Sequence, residues 1–600
     1  MFRLIAALCV FTWAGVAHAE RVKGLADVKG ARVNQLVGYG IVAGLAGTGD
    51  DMSTGLSGPS IVIMLQRLGV HIDATQLRLR NVAAVMVTAD LPPNAGAGSA
   101  IDVTVSSIGS AKSLEGGTLL ATPLKGADLK VYAIAQGPLS VGGFLVQGGS
   151  GSINAMIYLR GAASDFDGWA ALGNPGWGFR DVLPFFRKLE THPAGETEHH
   201  GGNGPIHITP MRDAAHPICR SFLAACRELG FALNDDFNGP SLEGAGIYDI
   251  NARNGRRCSS SFAYLHPAAE RSNLTVEHGM LATKLLIDRD KRVTGVRAIR
   301  NGQHQDFRVR NEIILAAGAV DSPKLLQLSG VADGALVAGL GIEVAHHLPA
   351  VGRNLQDHLC ASYYYRASVR TLNDEFGSRL RQARHGLRYL LWSTGPFSLS
   401  VNQAGGFFRG SPDEPHPNLQ LYFNPLSYRI PQSGRAKLTP EPYSGYLVAF
   451  NPTRPTSRGT IAIASADVHE PARIRPNYLA TAKDVADVIQ GSRLVRRLAA
   501  APSLRQITVE EVSPGPGVAS DDEAVRYFRE QSGSIYHLCG TCAMGPDPAT
   551  SVVDARLRVH GLRGLRVVDA SVFPTVTTGN TNAATMMVAE KGAAMLLEDA

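Results

Sequence analysis

Aromatic side chains are nearly missing from the first quarter of this chain. Between Glu20 and Phe144 only Tyr39, Tyr132 and Phe144 occur, whereas tryptophans follow at 169, 177 and 392. So abrupt a change argues that two parts with separate histories meet near residue 144. Cysteine is scarce as well. Apart from Cys9, the chain has Cys219, Cys226, Cys258, Cys360, Cys539 and Cys542, widely scattered over 600 residues, which excludes a disulfide scaffold. Charge of one sign is lacking: 58 Lys and Arg stand against 52 Asp and Glu, a formal net charge of +6. That balance gives nucleic acid no basic face to bind. No apolar run beyond the N-terminus reaches the ~18 residues that span a bilayer. Six hundred residues exceed one hydrophobic core and predict roughly two to four domains.

The chain opens with "MFRLIAALCVFTWAGVAHAERVKG": an early Arg, an apolar run, and Ala17-His18-Ala19 before Glu20. This order predicts a signal peptide over residues 1–19, hence export and a periplasmic location, with a short membrane anchor as the alternative. Residues 20–144 read as a small α+β segment. "AVMVTADL" (84–91), "AIDVTVSSIG" (100–109) and "DLKVYAIAQGPLSVGG" (128–143) alternate as half-buried strands do. "SGPSIVIMLQRLGV" (57–70) has a Ser start, helical spacing and a closing Gly. "VGYGIVAG" contains Gly38-x-Gly40-x-x-x-Gly44, but "VNQLVGYG" makes a poor buried strand, so no dinucleotide site is expected there.

The segments "RVKGLADVKGARVNQLVGYGIVAGLAGTGDD" (21–51) and "LPPNAGAGSAIDVTVSSIGSAKSLEGGTLLATPLKGADLKVYAIAQGPLSVGGF" (91–144) closely resemble the N-terminal third of the flagellar P-ring protein. That resemblance implies a periplasmic structural component with flagellar basal-body proteins as partners. It also accounts for the glycines at 38, 40 and 44.

From Leu145 onward four ordered segments resemble the glucose–methanol–choline (GMC) oxidoreductases, of the choline dehydrogenase type. They are "GGSGSINAMIYLRG" (148–161), "AAGAVDSPKLLQLSGV" (316–331), "LPAVGRNLQDHL" (348–359), and "YHLCGTCAMG" (536–545) with "LRVVDASVFPTVTTGNTNAATMMVAEKGA" (565–593). The resemblance implies an α/β fold: an incomplete FAD-binding doubly wound domain with an α+β substrate domain. Its parts would lie at 145–361, 362–451 and 452–600. It implies oxidation of a small-molecule alcohol at CH–OH, with hydride passing to the flavin N5.

Removing a hydroxyl proton needs a group that titrates near neutrality, and His is the natural candidate. By resemblance His537 is that base and Asn580 holds the substrate oxygen. Read alone, His537 could be structural and Asn580 a loop amide satisfying backbone groups. By resemblance Asn154, Ala155, Met156 and Ile157 line the isoalloxazine of FAD, with Val146 nearby. Asp569 and Ala570 lie by its ribityl chain, and Thr581 and Asn582 by its pyrimidine edge.

In this family the FAD diphosphate rests on a Gly-x-Gly-x-x-Gly turn between a strand and a helix. That unit belongs upstream of "GGSGSINAM", where the P-ring-like segment stands instead, and nothing after Leu145 replaces it. Two strand edges should therefore lie bare, and FAD binding should suffer. The chain reads as an impaired FAD-dependent alcohol dehydrogenase; the alternatives are a P-ring component or a non-functional fusion.

Remaining motifs carry less. Cys539-Gly-Thr-Cys542 has zinc or redox spacing without a second ligand pair, and Glu198-His199-His200 lacks a third metal ligand. Asp357-His358 looks like part of a triad, but no Gly-x-Ser-x-Gly elbow accompanies it. "AKDVADVIQGSRLVRRLAA" (482–500) predicts an amphipathic helix packed on a core.

Overall fold

The computed structural model describes residues 34–43, 82–91, 103–107, 118–126, 128, 130–138, 152–429 and 439–599. Two compact units divide the chain, residues 1–146 and 147–600.

The described part of the first unit is an antiparallel sheet of β1 (Asn34–Ala43), β2 (Val82–Leu91), β3 (Val103–Ser107), β4 (Thr118–Lys125) and β5 (Val131–Pro138). Their order is β3-β2-β1-β4-β5. The core is built from small and branched residues, among them Leu36, Val42, Val85, Val87, Leu119 and Leu124. Tyr39 and Tyr132 are exposed, so aromatic poverty is also a property of this core. One expectation is overturned. "VNQLVGYG", judged a poor buried strand, forms the central β1, pairing β2 along ten residues and β4 on its other side. Its glycines are the reason: a Cβ at Gly38 would run into the Pro123 carbonyl, and one at Gly40 into Thr122. They permit close approach of β4 rather than of a phosphate. The helix expected over 57–70 lies outside the described residues.

The second unit is α/β. Its largest sheet is antiparallel and runs Thr508–Ser513, Leu359–Ala367, Gly445–Pro452, Leu419–Asn424, Ala404–Phe408, Gly244–Ile247, with Gly533–Ser534 paired to Leu359–Ala367. Strands Leu419–Asn424 and Gly445–Pro452 are buried at every residue, because helix Ala482–Ala500 packs on the second of them. That helix starts at Thr481, whose side chain accepts from the Asp484 N–H, and buries Val488, Leu494, Val495 and Leu498. Gly491 sits where any Cβ would enter the Phe450 ring.

A second core gathers Phe166, Trp169, Trp177, Phe186 and Phe573. It lies among helices Ala163–Ala171, Phe179–Leu189, Gly318–Leu328 and Asn582–Glu598. Here runs a parallel pair, Ile313–Leu315 beside Leu565–Val567; two further short parallel pairs join Glu190–Thr191 to Ile206–Pro210 and Val331–Ala332 to His346–His347. Parallel strands are ordinarily covered on both faces. Yet Ile314 is 39% exposed, and Leu274 and Val276 are exposed too. Among the described residues Ile313–Leu315 has no strand partner besides Leu565–Val567.

Candidate active site

His537 follows helix Asp521–Gln531, which opens with a capping box between Ser520 and Glu523. Tyr536 just before it has φ +62°, a left-handed turn that leaves Tyr536 in solvent while His537 is buried. The His537 backbone N–H donates to Asp357 Oδ1 at 2.9 Å, and the Tyr478 hydroxyl donates to Asp357 Oδ2 at 2.5 Å. Burial pushes the Asp357 carboxyl up, and hydrogen bonds oppose that shift.

The hydrogen bonds around His537 fix its tautomer. His358 Nε2 lies 2.9 Å from the Thr453 carbonyl oxygen, which can only accept, so Nε2 carries the proton. Burial holds the His358 pKa down at about 4; the ring is neutral near pH 7 and its Nδ1 is a bare lone pair. His537 Nδ1, 2.8 Å away, must then be the N–H donor. That leaves His537 Nε2 unprotonated, 3.1 Å from Asn580 Nδ2. Asn580 Oδ1 in turn accepts from Gln420 Nε2 at 3.3 Å. Every donor in this chain, from Gln420 to Thr453, is thus assigned. Burial first, and the neighbouring His358 second, depress the His537 pKa well below 6.5.

Asn580 is delivered by a turn that requires glycine. Gly579 has φ +101°, and a Cβ there would crowd Phe407 and Leu159 at 3.1 and 3.3 Å. The preceding loop is anchored by Asp165, whose carboxylate accepts from the Thr578 N–H at 2.6 Å and the Thr578 hydroxyl at 2.9 Å. Asp165 also receives the Ala162 N–H at 2.8 Å, closing the start of helix Ala163–Ala171, and Arg454 at 2.8 Å.

The other expected residues fall in two groups. Asn154 Oδ1 accepts from the Met156 N–H at 3.0 Å and from Arg257 at 2.5 Å. Met156 adopts φ +64°, Ala155 is exposed, and Ile157 is buried with Leu159 in the cluster that holds Phe407. Asp569 Oδ2 accepts from the Gly318 N–H at 2.8 Å and from Ser322 at 2.6 Å. The Ala570 carbonyl receives the Gly540 N–H at 3.2 Å, linking this corner to the His537 loop. Thr581 and Asn582 begin the last helix, which has no side-chain cap. Val146 lies outside the described residues.

The GMC oxidoreductase family model matches residues 137–360 and 455–589. The mitochondrial choline dehydrogenase of Mus musculus is 40% identical over 451 residues, 75% of this chain and 74% of that protein. The chain belongs to the GMC oxidoreductase family. The alcohol dehydrogenase (acceptor) of Pseudomonas putida is 39% identical, over 75% of this chain and 81% of that one. Among solved structures, pyridoxine 4-oxidase from Mesorbium loti matches with TM-score 0.66 at 28% identity, covering 80% of this chain and 85% of its own. An FAD-dependent oxidoreductase from Chaetomium thermophilum matches with TM-score 0.69 at 25% identity, covering 75% and 86%. The flagellar P-ring protein model matches residues 21–161 and overlaps the GMC match from 137. The chain therefore joins a P-ring-like segment to a GMC oxidoreductase that lacks the Gly-x-Gly-x-x-Gly unit.

The family is one of FAD-dependent alcohol oxidoreductases, and the residues present fit only one end of that cofactor. Exposed Ala155 and the N-terminus of the last helix at Asn582, which has no side-chain cap, suit a flat, polar-edged ring. For the diphosphate, the sequence from Leu145 onward offers no Gly-x-Gly-x-x-Gly turn between strand and helix; the strand–helix turn at Ile313–Leu328 has the single glycine Gly318.

Four site residues were not foreseen. His358 and Asp357 were set aside for want of a nucleophile elbow, yet both act on His537; their signal was the family segment "LPAVGRNLQDHL". Tyr478 and Gln420 had no sequence signal, since each reaches the site through a long-range contact. Cys539 and Cys542 are free, buried thiols pushed up by burial. No cluster of three metal-ligating groups occurs among the described residues. His200 bridges Glu190 at 2.7 Å and Asp236 at 2.8 Å, which raises its pKa to about 9, and Glu190 also pairs with buried Arg160 at 2.6 Å.

Proposed function

We propose that residues 145–600 form the alcohol-binding and proton-accepting half of a choline-dehydrogenase-like GMC enzyme, on a platform that holds FAD weakly. The observation that carries this is the bare His537 Nε2 facing Asn580 Nδ2 at 3.1 Å. A hydroxyl that displaces this contact donates its proton to Nε2 and accepts from the Asn580 amide, which steadies the oxygen as charge develops on it. Because His358 takes the hydrogen bond from Nδ1, proton acceptance at Nε2 needs no tautomer change. The choline-type relatives favour an amino alcohol as substrate, and the parts of this half divide near 361 and 451.

Hydride removal depends on the flavin, whose nucleotide half has no Gly-x-Gly-x-x-Gly seat here. The test is flavin retention through gel filtration, followed by alcohol-dependent dye reduction with excess free FAD. The expected result is a colourless protein with slow turnover that His537→Gln abolishes. Turnover that survives this substitution would overturn the role of His537, and tightly retained flavin would overturn the weak platform.

The P-ring match over 21–161 supports a second reading for the first unit alone, as a periplasmic ring segment. Restored motility in a strain lacking its P ring would support it, and persistent non-motility would reject it.

A further inference from the structure

Helix Arg379–Trp392, "RLRQARHGLRYLLW", has no buried residue. Its polarity is inverted relative to an ordinary surface helix. The half-buried positions are Arg381, His385, Gly386 and Tyr389, while Leu380, Leu387, Leu390, Leu391 and Trp392 are 56–82% exposed. At about 100° per residue, Leu380, Leu387, Leu390 and Leu391 share one side of the helix and Trp392 lies off it; such an apolar side marks an interaction surface.

Charge selects the occupant. The helix carries Arg379, Arg381, Arg384 and Arg388 and no acidic residue. The nearest acids, Asp374 and Glu375, are engaged: Asp374 accepts from Ser444 and from the Thr371 N–H, and Glu375 pairs with His385 at 3.0 Å. Arg381 donates to the Asp374 carbonyl and Arg388 to Thr394. A second copy of the chain would oppose one arginine row with another, at an electrostatic cost. An anionic bilayer accepts both features at once: leucines enter the acyl boundary, arginines meet lipid phosphates, and a tryptophan sits at the headgroup level. At ~1.5 Å per residue the helix is about 20 Å long, and no helix of the described residues is long and apolar enough to cross a membrane. It would therefore lie in the interface plane.

We propose that helix Arg379–Trp392 docks the chain onto an anionic lipid surface. The test is flotation of the full chain with vesicles of phosphatidylcholine alone or mixed with phosphatidylglycerol, while Trp392 fluorescence is quenched by brominated acyl chains. Trp169 and Trp177 are fully buried and give a constant background, and Trp392→Phe, which keeps Trp13, serves as the control against which Trp392 quenching is read. Binding is expected on the mixed vesicles only, weakening as salt is raised. Arg384→Gln with Arg388→Gln should lower the partition coefficient about 25-fold, at about fivefold per arginine. Leu387→Glu with Leu391→Glu should abolish binding while far-UV circular dichroism stays unchanged; if that variant misfolds, the arginine pair decides. No flotation on anionic vesicles, or flotation undiminished in the variants, overturns the proposal. So does a dimer in solution that the leucine variant disperses while vesicles stay bare.

Discussion

Acid should destabilise the second unit through His358. This imidazole is fully buried and held at about 4, against about 6.5 in an unfolded chain. Between those values the unfolded state binds the extra proton, so stability falls as pH drops from 6.5 toward 4 and is unaffected by this group above pH 7. The whole gap is worth about 3 kcal/mol, of which about 2 falls between pH 7 and pH 5. The perturbation is His358→Gln, which removes the titrating ring. The assay is urea unfolding at both pH values, followed by the fluorescence of Trp169 and Trp177, which belong to the adjoining core. Other groups titrate in the same range, so the quantity to read is the pH-induced loss in the wild type minus that in the variant, expected at about 2 kcal/mol. Equal losses in the two proteins would refute both the neutral ring and the tautomer assigned to His537 from it.

Nitrogen-15 spectra of histidine-labelled protein should place the His537 proton on Nδ1. His358→Gln, whose Oε1 can accept, should retain that tautomer and His358→Leu should lose it. Glu190→Gln leaves Arg160 buried without its charged partner and should cost about 3–5 kcal/mol in the same unfolding assay; a loss under 1 kcal/mol would show that water reaches this pair. His200, raised to about 9 by its two carboxylates, contributes stability that is complete below about pH 6.5 and lost as pH rises through 9. A His200→Gln variant should lack this alkaline decline. Gly491→Ala should destabilise by about 1–3 kcal/mol by displacing Phe450, outweighing the ~1 kcal/mol of helix propensity it gains.

Periodicity made the helix over 482–500 legible, because one face meets the Gly445–Pro452 strand and the other meets water. His537 and Asn580 were legible only through ordered family segments. Their mutual 3.1 Å contact spans 43 positions of the chain and leaves no local pattern. β1 was misjudged because two glycines make a poor buried strand in sequence, whereas in the sheet they make room for Thr122 and Pro123. The roles of Asp357 and His358 were missed for a related reason. What gives them meaning is a carbonyl at Thr453 and a ring at 537, neither of which is near them in the chain.

The bare edge at Ile313–Leu315 has a consequence inside a cell. Quality-control machinery recognises unpaired backbone flanked by apolar side chains, and this rim presents both on a folded molecule rather than on a transient intermediate. Residence time would then limit such a chain, because chaperones and proteases compete for this rim.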